Sequence, residues 1–165
     1  MIHLSLVILA AVLGSIHVYR VRTRSTKRER VTIFLVYFLF LGVGITGLFS
    51  FYGHTIMADR IAESIGWPTG SPFQTEVAIT NLSFALLGLL SISMRKLKGF
   101  LIATAFGKSF FLIGTSILHI YEIITKANYA HNNAGPILYY SLVLAPILLT
   151  LSFMLLRLPD ETQTY

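Results

Sequence analysis

Apolar residues fall into five long runs, approximately 2–19, 31–51, 75–93, 100–125 and 137–156, separated by shorter polar connections. Each is close to the roughly 20 predominantly apolar residues that a helix needs to cross a bilayer. A segment in lipid must satisfy its own backbone hydrogen bonds, which selects helices over open strands. The pattern therefore predicts an all-α fold, a polytopic transmembrane bundle of about five spans. The runs nearly exhaust the 165 residues, so one transmembrane domain over 1–165 is expected.

Within the runs, small and aromatic residues recur. Ala10, Ala11, Gly14 and Ser15 lie along the first, and Gly42, Gly44 and Gly47 along the second, where they would let helices approach closely. The aromatic residues of the second run, such as Phe34, Tyr37 and Phe38, read as packing or lipid-facing positions. Pro146 predicts a kink in the fifth span. Between the second and third runs, Ile56, Met57, Ile61 and Ile65 recur at helical spacing among Asp59, Arg60 and Glu63. This predicts a short interfacial helix over about 54–65. Gly66, Pro68, Gly70 and Pro72 then break regular structure, with Trp67 and Phe73 suited to the membrane interface.

Composition strengthens the membrane reading. The chain is 55% hydrophobic and 12% charged, with mean hydropathy +0.72. Soluble domains carry about 25% charged residues. Net charge is +6. The basic residues crowd two connections, Arg20 to Arg30 and Arg95 to Lys98, as cytoplasmic loops do. An N-out, C-in topology follows, with the tail from Arg157 to Tyr165 in the cytoplasm. The same placement explains the basic clusters without nucleic acid, so membrane lipid is the expected partner and nucleic acid is not. The first run lacks a preceding basic segment, which argues for a retained span rather than a cleaved signal peptide. Absence of cysteine excludes disulfides, thiolate metal sites and thiol catalysis. The expected location is a cell membrane, the inner membrane of a prokaryote.

Candidate chemistry comes from polar residues inside or beside the spans. At about 1.5 Å per residue, Glu76, Asn81, His119, Glu122 and His54 reach one depth near the outer face. His119 and Glu122 share a helix face at three-residue spacing. Together with Glu76 and His54 they form a candidate set of two imidazoles and two carboxylates, suited to zinc or iron. No HExxH motif is present. Each residue also has a plainer role: Glu76 at a helix N-terminus, Glu122 paired with Lys126, Asn81 as interhelical glue, and His54 and His131 as wet loop residues. Lys108 lies roughly 13 Å inside the fourth span, where it either snorkels or faces a cavity, with His17 a candidate neighbour.

The segment Gly66-Trp67-Pro68-Thr69-Gly70-Ser71-Pro72-Phe73-Gln74-Thr75-Glu76 resembles a signature of a family of small polytopic prokaryotic membrane proteins without an assigned activity. Asn81-Leu82-x-Phe84-x-x-x-Gly88 and Asn133-Ala134-Gly135-Pro136 are similar to that family as well. The resemblance covers about half the chain. It implies a membrane protein and singles out Gln74, Glu76 and Asn133, but no substrate or cofactor. The prolines and glycines of the motif deliver Gln74 and Glu76 to the mouth of the bundle, and residues 130–136 fold over it as a lid or a simple turn.

Three functions follow from these residues. The first is an integral membrane protein with a polar, metal-binding site near the outer face, binding an ion or activating water with Glu76 or Glu122 as base. The second is a non-enzymatic accessory or scaffold subunit, associating with itself or a larger membrane complex. The third is a small proton-coupled transporter using Lys108 and the outer carboxylates.

Overall fold

The computed structural model describes residues 2–159; residues 160–165 of the tail considered above lie outside them. The chain is helical throughout, in the order α1 (Ile2–Val21), α2 (Lys27–Tyr37), a π-helical segment (Phe38–Ile45), α3 (Thr46–Ile56), α4 (Ala58–Ile65), α5 (Phe73–Leu90), α6 (Lys98–Lys126) and α7 (Pro136–Arg157). α2, the π segment and α3 form one continuous helix of 30 residues. Five helices are thus long and apolar enough to cross a membrane, as the five runs predict.

Local chemistry explains the ends of these helices. Thr26 and Glu29 form a reciprocal capping box at the start of α2, the Glu29 carboxylate accepting from Thr26 N at 2.6 Å. Such a cap contributes about 1 kcal/mol. α5 starts directly after Pro72, whose missing N–H is an orphan at any helix start. Gly66 ends α4 at φ +81°, and a β-carbon there would lie 2.6 Å from Asn128 Oδ1. Both the left-handed backbone and the close approach require glycine. The interfacial helix begins later than its pattern suggests: His54 to Ile56 complete α3, and the break falls at Met57, with φ −119° and ψ 29°.

The basic loops gather at one end of the bundle. Arg28 donates to Pro159 O, Arg30 to Arg22 O and Lys98 to Leu158 O, joining the ends of α1, α2, α6 and α7. The opposite, distal end carries α4 and residues 127–135. Between the ends, Leu35, Leu39, Val43, Leu101, Ala105, Leu144 and Leu148 form a closed apolar core.

The second span and α5 touch backbone to backbone. A β-carbon on Gly88 would lie 2.5 Å from Gly44 N, and one on Gly47 2.9 Å from Asn81 O. Gly14 packs on Phe34 inside the chain. These small residues are therefore spent on internal helix contacts, the close approach that lipid-embedded helices favour. α6 pairs chiefly with α7, whereas α5 and α6 touch only sparingly. That sparing contact leaves a wedge, and the candidate site fills it.

Candidate functional site

A cavity of about 320 Å³ opens at the distal end and runs inward between α3 and α5 on one side and α6 and α7 on the other. Lys108 and His119 both line it from α6. They lie three helical turns apart, so the cavity extends roughly 16 Å along the axis. Its walls are mostly apolar, with a few convergent polar groups, the usual make-up of a small-molecule site.

The inner end is built around Lys108. The side chain is 2% exposed, and its Nζ donates to Asn81 Oδ1 at 3.2 Å. Asn81 is itself fixed by donating to Val77 O at 3.0 Å. The ammonium also stands 4.6 Å from the centre of the Phe111 ring and 5.2 Å from that of Phe84, within cation–π range. The Lys108–Asn81 bond bridges α6 and α5 where the two helices otherwise make little contact.

At the level of α3, His54 Nδ1 hydrogen-bonds Gln74 Oε1 at 2.6 Å, tying the second span to the first turn of α5. His3, on α1, pairs with Ser50 Oγ at 3.0 Å and packs edge-on against Tyr140. The Tyr140 hydroxyl donates to Gly42 O at 2.7 Å. That carbonyl lies in the π segment and also accepts from Thr46 Oγ1.

The mouth is capped by α4 and the two motif segments. Trp67 stacks on His119, with ring centres 6.2 Å apart and planes 16° apart. His119 Nδ1 meets Asn133 Oδ1 at 2.7 Å, and Asn133 Nδ2 donates to Asn128 O at 2.7 Å. Asn132 Nδ2 donates to Ser64 Oγ, and Asn128 Nδ2 to Ile65 O, each at 2.9 Å. Residues 128–133 thus hold α4 and Trp67 over the cavity.

Of the residues expected at a common site, His54, Gln74, Glu76, Asn81, Lys108 and His119 line this cavity. Glu122, His131 and Asn133 do not. Glu122 is bound by Lys126 Nζ at 2.7 Å and by Asn128, His131 is exposed, and Asn133 is a fully buried structural residue. The expected ligand set of His54, Glu76, His119 and Glu122 does not assemble for zinc or iron. Among the described residues no three His, Asp or Glu side chains converge on a common point. Glu76 stands exposed at the mouth, while the nearer imidazole nitrogens of His54 and His119 meet amide oxygens. His17 is bonded to Tyr37, and the α1 histidine in the cavity is His3. Neither His3 nor Tyr140 is singled out by the sequence pattern. An imidazole within the first apolar run is the signal that points to His3.

Residues 1–161 match DUF6790, a family of unknown function. The chain belongs to that family. The match takes in nearly the whole sequence, including the first span and its basic loop. No match is found among curated proteins or among solved structures. The cavity and its side chains are therefore the basis for any functional reading of this DUF6790 member.

Proposed function

We propose that this protein is a multi-pass cell-membrane protein, N-terminus outside and C-terminus in the cytoplasm, that binds a small molecule in its distal cavity. The observation that carries the reading is the convergence of buried polar side chains from four spans on one mostly apolar cavity at the end away from the basic loops. Intramembrane ionisable residues are costly in lipid and usually mark a ligand or ion pathway. Binding without chemistry is the version supported here. The polar groups are held by neutral amide, hydroxyl and carbonyl partners, and none is paired as nucleophile and base. The prokaryotic inner membrane remains the proposed location, by the placement of basic loops.

The natural absence of cysteine permits a direct test. Ser141→Cys puts a thiol on the cavity wall, and Leu148→Cys puts one in the closed core. An impermeant sulfonated thiosulfonate reagent added outside intact cells is expected to modify the first and spare the second. Equal inertness of both thiols would mean a sealed interior and would remove the reading.

A further inference from the structure

Lys108 is a cation at the inner end of the cavity with no carboxylate in ion-pair contact among the described residues. Glu76, the one acidic residue on the cavity wall, is on the exposed first turn of α5 at the mouth. An ammonium offers three donors, and Asn81 takes one. The other polar groups around the cavity are already engaged: His3 with Ser50, His54 with Gln74, Tyr140 with Gly42, and His119 with Asn133. Lys108 is thus the group with donors left over. A buried charge without a counter-charge is unfavourable, and aromatic faces compensate only partly.

We propose that the cavity takes an amphiphilic monoanion, its carboxylate-type head on Lys108 Nζ and its hydrocarbon running past Phe111 and Leu118 toward the mouth. This deepens the reading of the cavity as a ligand site and rests on it. One cation calls for one negative charge, which favours a carboxylate over a phosphate monoester. The apolar wall calls for a tail rather than a bare inorganic anion. At roughly 30 Å³ for each small heavy-atom group, the volume holds on the order of ten non-hydrogen atoms, the size of a medium-chain acid.

Trp67, the chain's single tryptophan, lines the mouth and reports on occupancy. The full chain in zwitterionic-lipid nanodiscs is titrated with ω-bromooctanoate or neutral ω-bromooctanol, the bromine quenching a nearby indole. The expected result is saturable quenching by the carboxylate, reversed by octanoate. In Lys108→Met and Lys108→Gln its affinity falls by about tenfold or more, the loss of one charge-assisted hydrogen bond. Bromooctanol should quench all three proteins with one affinity, which also verifies that the variants are folded. Equal carboxylate affinity in wild type and both variants overturns the anion assignment and leaves the cavity reading intact. Octyl phosphate displacing the probe better than octanoate also overturns the assignment. Absence of saturable quenching by either probe overturns both readings.

Discussion

Lys108 and Asn81 form one unit, and each is expensive without the other. Asn81→Leu leaves the ammonium buried at the cavity's end with no hydrogen-bond acceptor. It is expected to destabilise the protein by about 1–3 kcal/mol. Adding Lys108→Met removes the stranded donor, so the double variant should regain most of that loss. Thermal unfolding of the wild type, both single variants and the double in one detergent measures the coupling. Strictly additive losses would mean that the two side chains do not act together. The residue scale is also where the sequence informs least about a site. Depth along a helix follows from about 1.5 Å of rise per residue, which is why His54, Gln74, Asn81 and His119 were recognisable as neighbours in height. Rotation about the helix axis depends on packing. His119 and Glu122 share a stretch of α6, yet one faces Asn133 and Trp67 and the other Lys126 and Asn128.

The elements themselves were far more legible, because an apolar run of membrane length has few alternatives to a helix. Less legible was the manner of their contact. Nothing in Phe38–Ile45 read alone announces a π-helical turn, and its glycines resemble a surface for a partner as much as an internal seam. The structure uses Gly44, Gly47 and Gly88 to bring two backbones together. Gly88→Ala would force a methyl group against Gly44 N and Leu39 O, 2.5 and 2.6 Å away, both backbone atoms that cannot yield cheaply. Overpacking of this kind costs about 1–3 kcal/mol, and more where backbone must move. Gly99→Ala at the start of α6 meets nothing within 4 Å. It should leave stability unchanged to within about 0.5 kcal/mol, or raise it slightly through helix propensity. Unfolding temperatures of the two variants in parallel test the seam; equal behaviour would contradict it.

At the scale of the molecule, the proposed topology turns on which side of the membrane holds the two basic loops. A cysteine at Gly70, beside the mouth, should react with an impermeant maleimide on intact cells. One at Arg95, in the opposite connection, should react only after permeabilisation. The reverse pattern would invert the protein and move the cavity mouth to the cytoplasm. The π-helical segment has a consequence at this same scale. It lies partway along the second span, between an inner half packed in the core and a distal half that carries Ser50, Gly53 and His54 to the cavity. Each residue of an α-helix turns the chain by about 100°. Deleting a single residue between Phe38 and Ile45 would restore ordinary winding and swing those three side chains out of the wall. The length of this one stretch thus acts like the tooth count of a gear: it sets the phase in which one half of the membrane interior meets the other.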